Sequence, residues 1–118
     1  MAVEKRFALK NDQYRAARGG WSRFLNLYCA LCQAHLLLYQ KDGPGTLYRL
    51  YVDRIFAPDS FAHLQDIADL SAMPDLVCPT CRAIIGTPTI WEEENRKAFQ
   101  LNQDSFKKRL GKGIYPPR

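Results

Sequence analysis

Four cysteines stand in two matched pairs, Cys29-Ala-Leu-Cys32 and Cys78-Pro-Thr-Cys81, separated by residues 33–77. Two residues between cysteines let the chain fold into a tight loop, here called a knuckle, whose two sulfurs reach one ion. Two knuckles together supply a tetrahedral set of four sulfur ligands, and no thiol is left over. The spacing therefore predicts one zinc ion per chain, bound by Cys29, Cys32, Cys78 and Cys81.

A site of four sulfurs indicates a structural rather than a catalytic metal, because four protein ligands leave no open position for water or substrate. Three alternatives stay open for the same cysteines: two redox pairs, an iron centre of the rubredoxin type, and buried cysteines without a metal. The redox alternative is disfavoured because no thioredoxin-like βαβ pattern surrounds either pair. Rubredoxin knuckles usually continue with Gly, whereas this chain has Gln33 and Arg82 at those positions.

The two histidines are not expected to extend this site. His35 follows Cys32 by three residues, and with four cysteines present we expect it to be a strand residue beside the site. His63 is expected on the surface of a helix. The sequence contains no Ser/His/Asp set, glycine-rich phosphate loop or His-Glu-x-x-His motif. We therefore predict no catalytic and no cofactor-binding residues, and we expect that the chain is not an enzyme.

The net charge of +5 is distributed unevenly along the chain. Counting Lys and Arg against Asp and Glu gives +4 for residues 1–28, −5 for residues 29–95 and +6 for residues 96–118. Basic ends on an acidic body favour contact with phosphate backbones or acidic proteins, and solubilising tails are the alternative. No secretory signal or membrane span is visible, so the paired cysteines are expected in the reducing cytoplasm.

The pattern of apolar residues indicates a small, mainly β (α+β) fold: zinc-stapled β-hairpins with one short helix between the two knuckles. Residues 34–54 are strand-like on both sides of a Gly-Pro-Gly turn at residues 42–45, which predicts a β-hairpin. Residues 59–70 place apolar side chains at helical spacing, which predicts a helix. Residues 84–91 are strand-like, although they are interrupted by Gly and Pro.

The domain organisation is expected to be one domain with less ordered ends. Residues 1–20 lack a helical stripe and finish in a Gly-Gly pair, which predicts a flexible basic N-terminal arm. Residues 21–110 hold both cysteine pairs and most apolar segments, so they are predicted to form a single zinc-binding domain. Residues 111–118 contain Gly-Lys-Gly and Pro-Pro, which predicts a disordered tail.

The cysteine pairs and their flanking strands, residues 24–102, resemble the zinc-ribbon family. Zinc ribbons place each Cys-x-x-Cys at a hairpin turn and hold two hairpins together. The long insert is also similar to the β-tent zinc folds, which include the methionine-R-sulfoxide reductases and the yippee proteins. Residues 39–45 and 78–88 look like segments of short bacterial zinc-ribbon-like proteins of unknown function. The resemblance implies zinc but not reductase activity, because that enzyme needs a nucleophilic cysteine beyond its metal ligands.

Two functions are compatible with these features. The first is a non-enzymatic protein-interaction module with an unknown protein partner, favoured by the closed metal site and the expected exposure of Tyr48, Tyr51 and Trp91.

The second is RNA or ribosome-associated nucleic-acid binding through the basic ends, with no membrane involved. The basic side chains available there are Lys5, Arg6, Lys10, Arg15, Arg18, Arg23, Arg96, Lys97, Lys107, Lys108, Arg109 and Lys112. An enzymatic role for Arg49 and Asp53 ranks last, because a solvated salt bridge explains them.

Overall fold

The fold is small and mainly β, as the sequence predicts, in a computed structural model that describes residues 4–117. The described residues form ten strands: β1 (Lys5–Arg6), β2 (Ser22–Cys29), β3 (His35–Asp42), β4 (Arg49–Tyr51), β5 (Ile55–Ala57), β6 (Leu76–Val77), β7 (Ile84–Trp91), β8 (Arg96–Leu101), β9 (Phe106–Leu110) and β10 (Ile114–Tyr115). They also form two short α-helices, α1 (Gln13–Ala17) and α2 (Asp59–Ala62). The predicted short helix between the knuckles is α2.

Two four-stranded antiparallel sheets make up the body of the molecule. The first sheet has the strand order β5-β3-β2-β9, and the second has the order β4-β8-β7-β6. A two-stranded ribbon of β1 and β10 joins the two ends of the chain. Strand β3 is central in its sheet, and residues 36–40 are buried on both faces.

Both sheets contribute side chains to one hydrophobic core. The first sheet contributes Leu27 and Leu37, and the second contributes Leu50, Ile85 and Phe99, all of which are inaccessible to solvent. Two of the cysteines, Cys29 and Cys78, belong to the same core cluster. Burying apolar surface is the main favourable term in folding, so this shared core fixes the sheets against each other and sets the position of the cysteine loops.

The predicted β-hairpin over residues 34–54 is wrong. A turn does follow Asp42, where Gly43 and Gly45 adopt φ angles of 72° and 107° that favour glycine. The strands on either side of this turn do not pair, because β3 bonds to β2 and β5 whereas β4 bonds to β8 in the other sheet. Because β2 and β5 occupy the two edges of β3, no edge is left for β4.

The predicted helix over residues 59–70 is much shorter than expected. Only Asp59–Ala62 is α-helical, and 3-10 turns follow at His63–Asp66 and Leu70–Ala72. Pro58 at the N-cap has no side chain that accepts a hydrogen bond, and Ile67 returns to an extended conformation. Leu64 is nevertheless buried in the core, so the apolar spacing was informative about burial rather than about helix length.

The two ends of the chain lie against the body in the described residues. Lys5 and Arg6 pair with Tyr115 and Ile114, and the side chain of Asp12 caps α1 and bonds to Arg54 of the body. The mobility predicted for residues 1–20 and 111–118 concerns motion in solution and stays a prediction. Residues 1–3 and 118 of those segments lie outside the described residues.

Candidate metal centre

Each cysteine pair sits at the turn of a β-hairpin, and the two turns have the same backbone hydrogen bonds. The first knuckle, residues 29–33, joins β2 to β3, and its Gln33 amide donates to the Cys29 carbonyl at 2.9 Å. The second knuckle, residues 78–82, joins β6 to β7, and its Arg82 amide donates to the Cys78 carbonyl at 2.9 Å. The two knuckles therefore have the same backbone hydrogen bonds, although Ala-Leu separates the cysteines in one and Pro-Thr in the other.

The residue that closes each knuckle has an unusual backbone conformation. Gln33 has a φ of 64° and Arg82 a φ of 69°, both in the left-handed region that side chains disfavour. These are the positions at which rubredoxin knuckles usually carry Gly. The left-handed residue reverses the chain direction, so that the amide of the first cysteine donates to the carbonyl of Ala34 or Ala83 and the following strand begins.

The four sulfurs converge on one point between the knuckles. They all lie within 4.8 Å of one another. The Sγ atoms of Cys29 and Cys81 are 3.5 Å apart, and those of Cys32 and Cys78 are 3.6 Å apart. A regular tetrahedron with zinc–sulfur bonds of about 2.3 Å has sulfur–sulfur edges of about 3.8 Å, whereas a disulfide bond measures about 2.05 Å. The four cysteines predicted as ligands are thus arranged to bind one metal ion.

The cysteine cluster lies at the edge of the core rather than in its middle. Cys29 and Cys78, the first residue of each pair, are fully buried, whereas Cys32 is partly buried and Cys81 is exposed. Each pair therefore presents one sulfur from the core side and one from the solvent side. The cluster therefore meets solvent on the side of Cys81.

Backbone amides favour the thiolate form of the first cysteine in each pair. The Cys32 amide lowers the pKa of the Cys29 thiol to about 7, and the Leu31 amide contributes in the same sense. Burial opposes ionisation of Cys78, but the amides of Cys81 and Thr80 outweigh it and lower the pKa of that thiol. Metals bind the thiolate rather than the thiol, so these amides stabilise the metal-binding form of one cysteine in each knuckle.

The second cysteine of each pair is harder to ionise while no cation is present. The Ala34 amide lowers the pKa of Cys32, but desolvation and the adjacent Cys78 thiol outweigh it and raise the pKa. The Ala83 amide acts in the same way on Cys81, whose pKa desolvation and the neighbouring thiols nevertheless raise to about 12. A divalent cation among the sulfurs removes this penalty, so metal binding and the loss of these protons are coupled.

The histidines lie outside the sulfur cluster. His35 is a strand residue, at the start of β3, and its Nε2 is 2.8 Å from the Asn26 Oδ1. Its ring contacts those of Tyr28 and Tyr115, with centroid distances of 5.2 and 5.8 Å, and its burial lowers the pKa of the imidazole. His63 is exposed and bonds to the carbonyl of Asp59.

A buried network of arginines and carboxylates was missed by sequence reasoning. Arg54 is 1% exposed and pairs with Asp12 and Asp42 at 2.6 and 2.9 Å. Arg96 is 3% exposed and pairs with Asp53 at 2.6 Å. No periodicity distinguishes these arginines from solvated ones, so the sequence carried no signal for them. Arg96 was predicted to contact nucleic acid from the basic end, and its burial makes that prediction wrong.

No protein-family model, curated protein or solved structure matches this chain. The resemblance to zinc ribbons therefore stays a prediction, while the cluster of four cysteines in a mainly β fold is a property of the structure. Among the described residues, no helix is long and apolar enough to cross a membrane.

Proposed function

We propose that the chain is a structural zinc-binding domain of the zinc-ribbon kind, without enzymatic activity. The observation that carries this proposal is the near-tetrahedral spacing of four sulfurs from two knuckles with the same backbone hydrogen bonds. When bound, zinc would crosslink Cys29 and Cys32 of the first knuckle to Cys78 and Cys81 of the second. All four thiols serve as ligands in this proposal, so none is left to act as the nucleophile of a reductase.

X-ray absorption at the metal edge of the purified protein tests the ligand set. We expect four sulfur neighbours at about 2.3 Å and a zinc edge rather than an iron edge. A nitrogen or oxygen neighbour in the first coordination shell would contradict a closed site of four cysteines and would reopen the question of a catalytic metal.

The domain is further proposed to act as a protein-interaction module. Leu31 lies between the two cysteines of the first knuckle with 75% of its surface exposed, and Ile84 follows the second knuckle with 52% exposed. Exposed apolar side chains at both knuckles favour association with another protein. Of the aromatic residues predicted to be exposed, Tyr48 is 56% exposed, whereas Tyr51 is buried at 9% and does not support the proposal.

Replacing these apolar side chains tests the interaction proposal. A Leu31→Asp, Ile84→Asp double variant should lose a partner that the wild-type chain captures, and the purified partner should show the same difference in a binding titration. Leu110→Asp is a matched control, because Leu110 is 74% exposed but belongs to β9. Equal capture by all three proteins would rule out this surface.

Nucleic-acid binding is the second candidate, and one surface favours it. Tyr28, Gln33, Lys107 and Arg109 line a groove of about 430 Å³ beside Cys29. Strand β9 is the outer strand of its sheet and exposes Lys107, Lys108 and Arg109 in succession. An aromatic ring beside a row of cations is the combination that single-stranded nucleic acid recognises through base stacking and phosphate contacts.

A salt titration with single-stranded RNA tests this second candidate. Phosphate contacts release counterions, so log affinity should fall with log salt with a slope of about −0.7 for each phosphate contacted. Reversing the charges of Lys107, Lys108 and Arg109 to Glu should weaken binding and flatten that slope, while metal content stays unchanged. A wild-type chain that binds no RNA at about 50 mM salt, where such contacts are strongest, would exclude the candidate.

A further inference from the structure

A second cavity lies away from the cysteines, beside the turn that follows β3. It has a volume of about 130 Å³, and its wall includes Arg18, Tyr39, Lys41, Asp42, Arg49 and Tyr51. One water molecule in the liquid takes up about 30 Å³, so the cavity has room for a few waters or one tetrahedral oxyanion. Nothing in the structural role of the metal centre accounts for a polar cavity at this position.

The wall of this cavity has more hydrogen-bond donors than acceptors. The buried Tyr39 hydroxyl accepts from the Tyr51 amide at 2.9 Å, and the Tyr51 hydroxyl accepts from Arg18 at 3.1 Å and Arg49 at 3.4 Å. Among residues 4–117, no group accepts the proton of either hydroxyl. Burial raises the pKa of Tyr39, so its hydroxyl keeps that proton as a donor.

Among the described residues, the one carboxylate on the wall is that of Asp42, and both of its oxygens accept hydrogen bonds. One oxygen of Asp42 accepts from Ser22 and Gln40 at 2.5 and 2.8 Å, and the other accepts from Arg54 at 2.9 Å. Arg18 is neutralised by Glu94, whose carboxylate oxygens lie 2.7 and 2.9 Å from its guanidinium nitrogens. These two groups therefore add little net charge to the cavity.

Two cations on the wall lack a compensating carboxylate. Within the described part of the chain, neither Lys41 nor Arg49 forms an ion pair. The Lys41 ammonium donates only to backbone carbonyls, at 3.1 to 3.4 Å, and Arg49 stacks on Trp91. Burial, together with the neighbouring Arg23 and Arg18 guanidiniums, outweighs the Asp42 carboxylate and lowers the pKa of Lys41.

We propose that this cavity binds a phosphate group, either as inorganic phosphate or as the phosphate of a nucleoside monophosphate. The two uncompensated charges of Lys41 and Arg49 match a phosphate dianion, and the hydroxyls of Tyr39 and Tyr51 supply donors to its oxygens. Tyr48 lines the same cavity and is 56% exposed, so it offers an aromatic surface for the base of a nucleotide.

Calorimetric titration of the full-length, metal-loaded chain tests this inference. Inorganic phosphate and adenosine monophosphate are titrated separately at constant ionic strength, with chloride as the reference anion. We expect both phosphates to bind, and we expect Lys41→Gln and Arg49→Gln each to weaken binding roughly tenfold or more. Tighter binding of the monophosphate assigns the nucleotide as the ligand, and equal affinity assigns free phosphate.

A control separates specific binding from general electrostatics. Lys112→Gln removes the same charge from an exposed position outside this cavity and should leave phosphate affinity unchanged. Amide spectra of all variants verify the fold, and phosphate should shift amide signals within residues 39–51 of the wild-type chain. Absence of binding at millimolar phosphate, or the same weakening in Lys112→Gln, would overturn the proposal.

Discussion

Gln33 and Arg82 show how strongly the knuckle geometry constrains single residues. Both occupy the left-handed region of backbone space, which costs a non-glycine residue about 1 kcal/mol or more. Their amides nevertheless close the two knuckles by donating to the carbonyls of Cys29 and Cys78. The chain therefore tolerates backbone strain at the two positions that place the cysteine sulfurs opposite each other.

Substituting glycine at one of these positions should stabilise the protein. Gln33→Gly removes the side chain that disfavours a φ of 64°, so the free energy of unfolding should rise by about 0.5–1 kcal/mol. Chemical denaturation of the metal-loaded chain measures the change. Gln100→Gly, at an exposed position in β8, is the control and should lower the free energy by a similar amount. A Gln33→Gly variant that loses as much stability as this control would contradict the strain argument.

The cysteine ligands were predictable from sequence, whereas these strained residues were not. Two residues between cysteines bring the two sulfurs of a knuckle close together. Since the chain has four cysteines in two such pairs, no other cysteine competes as a ligand. Glycine would have signalled the left-handed position, but Gln33 and Arg82 carry no such signal. The buried ion pairs that Arg54 and Arg96 form with aspartates were not predictable either, because charged residues are expected on the surface.

At the scale of elements, the N-terminal helix α1 is attached to the body through buried charges. Asp12 caps the helix and also bonds to both terminal nitrogens of Arg54, at 2.6 and 2.9 Å. Tyr14 of α1 and Tyr51 of β4 both contact the Arg96 guanidinium, whose central carbon lies 3.8 Å from each ring centroid. Residues 12–18 thus cover ion pairs that would otherwise meet water.

This attachment should be sensitive to acid. The hydrogen bonds from Arg54 lower the pKa of Asp12 to about 2 from an ordinary value of 3.8. A carboxyl with a lowered folded pKa stabilises the fold above its unfolded pKa, and this stability is lost as the pH falls from about 4 toward 2. Asp12→Asn should therefore flatten the decline of unfolding free energy over that range.

Denaturation at several pH values compares this variant with a matched one. Asp104→Asn makes the same change at an exposed carboxyl in the turn before β9, and its stability should follow the wild-type profile. Loss of metal in acid affects all three proteins equally, so the difference between the profiles isolates Asp12. Superimposable profiles for Asp12→Asn and the wild type would show that the Arg54 pair adds no stability.

The strands were easier to predict than their partners. Alternating and apolar residues placed strands correctly over residues 84–91 and beside both knuckles. The turn at residues 42–45 indicated a local hairpin. A turn reverses the direction of the chain, but it does not determine which strands pair. Pairing also depends on which strands meet in the folded molecule: β4 pairs with β8, far along the chain, while β3 pairs with β2 and β5.

At the scale of the whole molecule, the metal centre joins the two sheets. Cys29 ends β2 of the first sheet, and Cys78 follows β6 of the second. The sheets are also joined by the shared apolar core and by the hydrogen bond from the Tyr51 amide of β4 to the Tyr39 hydroxyl of β3. The apparent binding free energy of structural zinc in small fingers, about 10–16 kcal/mol, equals or exceeds the total stability of most small domains.

Removing one ligand should therefore unfold the body. Cys78→Ser leaves three sulfurs and should abolish the dispersed amide spectrum over most of residues 24–102. Thr80→Ala, at the exposed tip of the same knuckle, changes no ligand and should keep that spectrum. A Cys78→Ser variant with native-like dispersion would mean that the core alone holds the sheets together.

The metal content of the protein tests the central claim most directly. The chain is expressed and purified without added metal, and zinc and iron are measured by elemental analysis against protein concentration. We predict one zinc per chain for the wild type, because four thiolates at near-tetrahedral spacing form one closed site. A wild-type protein that is folded and contains neither zinc nor iron would contradict the account.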